Sequence, residues 1–271
     1  MCNWYSASLF CLDLANYMRD SNMMHVQAIG ILQMCCHAAG DIVFRPRLLA
    51  IGIRIANNLG MPFARTGTGT GTRSLIESEV ARRLWWVFVI NEWLGHSSNR
   101  PYIHEADFDM LLPLPMDDDE LESGHIPDEL PSHHISPWLY TTTLCQIAVV
   151  FHRFNRAVQT NPSDLEIVVN RADSELTSLM DGLPAHLRDN VVKSPQTRAL
   201  EAKHLWIRWQ REDLKTTFLL FRAKINHHCH KTWTMSPSLC LSQRILCLQS
   251  ARSVISVYES SDLSAHQRRY M

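Results

Sequence analysis

Apolar residues along the chain recur at three- and four-residue steps, and the two-residue alternation that marks a strand is almost absent. Over 46–59, Leu48, Ile51, Ile55 and Leu59 share one side while Arg47, Arg54 and Asn58 form a polar stripe. Pro46 suits the first turn of that helix and Gly60 its C-terminal stop. A segment from Asn22 to Ala39, with Val26, Ile29, Leu32 and Cys36 on one side, reads as another helix, and the first eighteen residues as a third. Ser74 and Glu77 have the spacing of a capping box opening a helix to about Ser98, which satisfies two terminal backbone donors reciprocally. Within it, the seven apolar residues Leu84 to Ile90 leave no wet face, so this helix is expected to be surrounded by others.

Beyond Asn99-Arg100-Pro101 the chain reads as extended to Leu114-Pro115, then as an acidic, proline-containing linker over 113–136. Helices are expected again from Pro137 through Phe154, and from Asn161-Pro162, with Asn as cap and Pro at the first position, to Met180. A long helix is expected over 198–226, with Leu214, Phe218, Phe221 and Ile225 along its buried face. A last one starts at Ser236-Pro237, with Leu241, Ile245, Leu248, Ala251, Ile255 and Tyr258 stepping along one side. The fold class is all-α, about eight to ten helices, in a helical half 1–112 and a second half 137–271 that pack together across the linker.

Composition narrows the function. The 271 residues carry 26 basic against 27 acidic side chains, a formal charge of −1, which makes this stretch a poor binder of duplex DNA by itself. No apolar run approaches the roughly 20 residues of a membrane span. The opening residues lack a basic stretch and are interrupted by Asp13 and Asn16, unlike a secretory signal. An intracellular protein with no membrane partner is expected. The eight cysteines include the adjacent Cys35-Cys36 and no Cys-x-x-Cys, and most sit among apolar helical residues, so reduced, buried thiols are expected.

Candidate chemistry is sparse. Residues 66–72, alternating Thr and Gly, lack the Lys-Ser/Thr ending of a phosphate loop and read as a flexible connection. Asp118-Asp119-Glu120-Leu121-Glu122 has the Asp-Asp-x-x-Glu spacing by which all-α prenyl-diphosphate enzymes hold magnesium, but lies among prolines with no second metal motif; a solvated acidic loop is the alternative. His227 and His230 are spaced to share a metal, or simply to end a helix against its free carbonyls. No nucleophile elbow or His constellation marks an active site, so neither catalytic residues nor a metal site are expected. Arg82 and Arg83 are expected to partner buried carboxylates or carbonyls.

One ordered set of motifs remains: Ile55-Ala56-Asn57-Asn58-Leu59-Gly60-Met61, Glu77-Ser78-Glu79-Val80-Ala81-Arg82-Arg83-Leu84-Trp85-Trp86, Asn99-Arg100-Pro101-Tyr102-Ile103, Asp107-Phe108-Asp109 and Leu112-Pro113. In this order and spacing they closely resemble the fungal-specific transcription factor domain, the middle homology region of fungal zinc-cluster regulators. The resemblance is carried by Leu59, Gly60, Glu79, Arg82, Arg83, Trp85, Trp86, Arg100, Pro101, Asp107, Asp109 and Pro113. Later segments match loosely, at Leu183-Pro184 and Cys247 to Ala251. Met61-Pro62 stands where Leu-His is usual, Asn99 where Gly is usual, and Glu92-Trp93 near an expected Asp-Arg pair.

The resemblance implies an all-α regulatory region in the nucleus, although no Lys/Arg-rich localisation cluster is present and a cytoplasmic site stays open. It implies partners in the transcription machinery or a regulator paralogue, a small-molecule effector, a homodimer, and DNA contact only through another module. No cofactor is expected in these residues; zinc would belong to an upstream six-cysteine cluster. Met1 falls one or two helices inside the family's domain, so the chain is expected to be either a truncated regulator or a free-standing interaction protein derived from one, with apolar surface exposed near its start. Trp85 and Trp86 are expected as core anchors, with the lining of an effector pocket as the alternative.

Overall fold

The computed structural model describes residues 2–63, 72–95, 101–123, 135–188, 194–236 and 238–260. Arg100, most of the Thr/Gly run and 124–134 of the linker lie outside the described residues. Eleven α-helices and no strand occur among the described residues, an all-α fold. They cluster in two compact units, the first containing the described residues up to 123 and the second those from 135 onward.

The first unit contains α1 (Cys2–Leu14), α2 (Met23–Ala39), α3 (Arg45–Asn58), α4 (Thr72–Gly95) and α5 (Asp118–Glu122). Val26, Ile29, Leu32 and Cys36 of α2, Leu48, Leu49, Ile53 and Ala56 of α3, and Trp85, Phe88 and Val89 of α4 form its core. As the sequence pattern predicts, Pro46 sits in the first turn of α3 and Gly60 ends it in the left-handed region, φ 71°. None of Leu84 to Ile90 is exposed. The helix α4 begins at Thr72, three residues before the Ser74 capping box would start it. The acidic run is not a loop: Asp118–Glu122 is a short helix, because Asp117 accepts the Glu120 amide at 2.9 Å while the Glu120 carboxylate accepts the Asp117 amide at 2.8 Å.

The second unit contains α6 (Trp138–Thr160), α7 (Leu165–Asp181), α8 (Pro195–Lys203), α9 (Trp206–His227), α10 (His230–Met235) and α11 (Leu241–Ser260). The central helix is α9, which packs against α6, α7, α8 and α11 and buries Ile207, Leu214, Phe221 and Ile225. Phe154 of α6, Val169 and Leu176 of α7 and Leu187 in the following turn are also buried in this unit.

Four boundaries differ from the sequence reading. Asn161 makes no side-chain cap; it precedes a proline, which disfavours helical backbone, and a 3-10 turn over Pro162–Asp164 intervenes before α7. The stretch 198–226 is two helices, broken where His204 turns extended, φ −123° and ψ 90°. Ser194 caps the first of them by accepting the Thr197 amide at 3.1 Å, with Pro195 in the first turn. Ser236 closes α10 and does not open α11, which starts after Cys240 takes a left-handed conformation, φ 52°. The apolar stripe of α11 is also not the buried one: Leu241, Ile245, Leu248 and Ile255 are exposed, while Gln243, Cys247 and Ser250 face inward. Gln243 is drawn in by Asn170 of α7, to whose Oδ1 it donates at 2.7 Å.

Candidate functional site

The motif residues of the first unit converge on one feature, an irregular segment, 101–117, that runs along α4. Such a segment carries amides and carbonyls with no ladder to satisfy them, so each buried group needs a partner. The side chains of α4 supply those partners. Glu92 accepts the Tyr102 amide at 2.8 Å, and the Trp93 indole donates to the Ile103 carbonyl at 2.9 Å. The Trp86 indole donates to the Leu111 carbonyl at 2.8 Å. Glu79 accepts the Leu114 amide at 2.8 Å, and Arg83 donates to the Met116 carbonyl at 2.8 Å. The spacing of these five residues over 79–93 follows the helix, so the segment is held from end to end.

Phe108, midway along the segment, lies among three tryptophans of α4, with ring centroids 5.6 Å from Trp85, 5.7 Å from Trp86 and 6.0 Å from Trp93. Trp85 and Trp86 are 1% and 3% exposed, which assigns them to the core. Asp107 and Asp109 flank Phe108. The Asp107 carboxylate accepts the His104 amide at 3.0 Å within a 3-10 turn over Glu105–Asp107, and the Asp109 amide donates to the Pro62 carbonyl at 3.2 Å. The second of these bonds ties the segment to the turn just after Leu59 and Gly60. Leu59 is partly exposed, Pro113 is buried, and Pro101 is half-buried at the start of the segment.

At the far end is an ion network. Glu79 lies 2.9 Å from Arg82 Nη1 and accepts Arg83 Nε–H at 3.1 Å, and Arg83 also donates to Asp118 at 2.8 Å. This matches the expected pairing of both arginines with carboxylates and carbonyls. Burial pushes the Glu79 carboxyl above its ordinary value, while Arg82, the Leu114 amide and Arg83 pull it back. Its Oε1 accepts from Arg83 and from the Leu114 amide, and Arg82 lies beside its Oε2. Asp118 pairs with Arg83, and Glu120 forms the capping box with Asp117, which accounts for two members of the acidic run.

In the second unit the His227 and His230 rings stack at 4.8 Å across the turn from α9 to α10. Cys229 beside them is buried, and burial together with Cys240 pushes its thiol up to about 12. Among the described residues no three His, Cys, Asp or Glu side chains come together in a way that could hold a metal. None of their helices is long and apolar enough to cross a membrane.

What the geometry brings together in the first unit is a clamp that holds 101–117 on α4. Almost the whole chain is similar to a probable transcription factor. The match, 25% identical over 287 aligned residues, is to the probable transcription factor lepB of Aspergillus flavus and covers 98% of this chain. The chain spans about half, 51%, of that relative's length. No family model matches the chain, and no solved structure does.

Glu92 and Trp93 are the residues whose role sequence reasoning missed. They stand near the position where the resemblance leads one to expect an Asp-Arg pair, and they hold the start of the segment instead. The available signal was physical: Glu92 is a lone carboxylate just past seven apolar residues, and a buried acid in such surroundings needs a fixed donor.

Proposed function

We propose that this chain is the regulatory region of a fungal transcription factor of the zinc-cluster type, corresponding to the fungal-specific transcription factor domain. It acts in the nucleus by binding an effector, a co-regulator or other parts of the same regulator, and not by catalysis. The observation that carries this reading is the docking of 101–117 onto α4, made largely by the residues whose order resembles that domain. The similarity to a probable transcription factor supports it independently. DNA recognition, and the zinc it would use, belong to a module other than these 271 residues, whose net charge is −1.

The test is to fuse the chain to an unrelated DNA-binding domain and measure a reporter carrying that domain's site. A change in output that disappears when Trp86→Ala loosens the clamp supports the reading. An inert fusion at matched expression counts against it, as would magnesium-dependent turnover of a prenyl diphosphate that is lost in Asp118→Asn and Asp119→Asn.

A second reading, a free-standing interaction protein, is favoured by exposed apolar side chains on the first two helices. Trp4, Phe10 and Leu14 of α1 and Met24, Ile31 and Met34 of α2 are all exposed. Light scattering separates the two: an obligate dimer or a stable complex with a regulator paralogue favours the second reading, a soluble monomer the first.

A further inference from the structure

The second unit contains a cavity of about 520 Å³ between α7, α9, α11 and the turn after α7, inside the roughly 300–1,000 Å³ range of small-molecule sites. Its apolar lining comes from Met180, Leu187, Phe218 and Leu219. A thioether and a phenyl ring both make favourable contacts with aromatic rings, so this lining suits a flat aromatic body.

One polar group of the lining, Arg222, is fixed in place. Its Nε and Nη2 each donate to Asp173 at 2.9 Å, Asn226 donates to the same carboxylate at 2.8 Å, and the guanidinium carbon lies 5.4 Å from the centre of the Phe218 ring. A guanidinium is planar, so two bonds along one edge turn Nη1 away from Asp173. Nη1 donates to no group among the described residues. It is a donor already oriented for an acceptor, which spares a ligand the cost of ordering it.

Asp173 balances the charge of Arg222, so Nη1 offers a hydrogen bond and not a free charge. An anion would give up its hydration to meet a cation that is already paired. An uncharged carbonyl oxygen loses much less on leaving water and takes the same bond. Of the other charged side chains in the lining, Arg188 and Asp181 are exposed and opposite in sign, which water screens, and Lys215 already has a partner of its own.

From this we infer that the cavity binds an uncharged aromatic carbonyl compound, an aryl ketone or lactone. The carbonyl oxygen accepts from Arg222 Nη1, and the rings lie on Met180, Leu187, Phe218 and Leu219. As the effector site of a regulator the inference rests on the reading above; as a binding site it does not.

The experiment is calorimetric titration of the full chain with 2-acetonaphthalene and with the anion 2-naphthoate. Saturable binding of one ketone per chain is expected, with the acid weaker. Arg222→Lys keeps a cation for Asp173 but removes Nη1, and should weaken the ketone by about tenfold, as loss of one hydrogen bond to a charged donor implies. Ser253 lines the cavity from α11 and is exposed, so Ser253→Trp should keep its fold while filling the site and abolishing binding. Equal helical circular dichroism checks both variants. No saturable ketone binding up to about 1 mM would overturn the inference, as would naphthoate binding as tightly as the ketone, or ketone binding unaltered in a folded Arg222→Lys or Ser253→Trp. A reporter indifferent to the ketone, in a chain that binds it, leaves the site standing and counts against the regulatory reading.

Discussion

Glu79 and Leu114 are 35 residues apart, and the Leu114 amide donates to Glu79 Oε1 at 2.8 Å. The same oxygen accepts Arg83 Nε–H, so one carboxylate, 1% exposed, joins the helix to the segment that crosses it. Removing its charge leaves Arg82 and Arg83 buried beside a neutral group. Glu79→Gln should therefore destabilise the chain by about 3–5 kcal/mol, the usual cost of breaking a buried pair from one side. Urea unfolding followed by tryptophan fluorescence measures it, and a loss under about 1 kcal/mol would show that the network contributes no more than a surface pair.

The Trp86 indole bond to the Leu111 carbonyl can be removed with little loss of ring packing. Trp86→Phe should cost about 1–3 kcal/mol, the penalty for leaving a buried partner unsatisfied. Its effect should be local. Amide exchange over 101–117 should quicken more than exchange in the middle of α3, whereas uniform quickening would mean that Trp86 stabilises the unit only by volume.

The helices of the first unit were readable because period and punctuation agree: Pro46 starts α3, Gly60 stops it, and Leu84 to Ile90 has no wet face. The second unit was harder for a specific reason. In α11 the apolar stripe is exposed and the smaller, more polar Gln243, Cys247 and Ser250 are buried, a choice made by Asn170 on another helix. Tertiary partners of this kind leave no local pattern. The clamp was legible as an order of motifs around Arg82, Arg83, Trp85 and Trp86, but not as a clamp, since its acceptors at Ile103, Leu111 and Met116 are backbone carbonyls that any residue carries.

Gly52 shows how closely α2, α3 and α4 approach. A methyl group there would stand 2.8 Å from Ile29 Cγ2 and 2.9 Å from Phe88 Cζ, both buried. Alanine gains about 1 kcal/mol of helix propensity over glycine, but overpacking costs about 1–3 kcal/mol. Gly52→Ala should destabilise on balance. Gly30→Ala is the control, because its nearest contact, Leu84 Cδ2 at 3.5 Å, is ordinary, and it should be neutral or stabilising. Thermal melts of the two variants should shift in opposite directions or differ clearly in size; equal shifts would contradict the close approach.

Stability should also fall in mild acid through the histidines of the second unit. Burial lowers the pKa of His186, with Arg211 adding repulsion, and burial lowers that of His228, with His227 adding to it. Among the described residues His186 Nε2 has no hydrogen-bond partner, and Arg211 donates to the His186 carbonyl at 3.1 Å, so a charged ring there would sit beside a fixed cation. A base whose folded pKa lies below its unfolded value takes up its proton first in the unfolded chain. Above the unfolded pKa of about 6.5 both states are neutral and the group contributes nothing. As pH falls through that value the unfolded state is favoured, and the penalty is complete once pH passes below the folded pKa. Opposing this, burial raises the Asp213 carboxyl although Tyr140 donates to it at 2.6 Å, and that group favours the folded state as pH falls through the carboxylate range. The two effects act in different windows. The unfolding midpoint should therefore decline from neutral pH toward the lower histidine range, and His186→Gln should flatten that decline without changing the response at lower pH. An unchanged slope in the variant would remove His186 from the account.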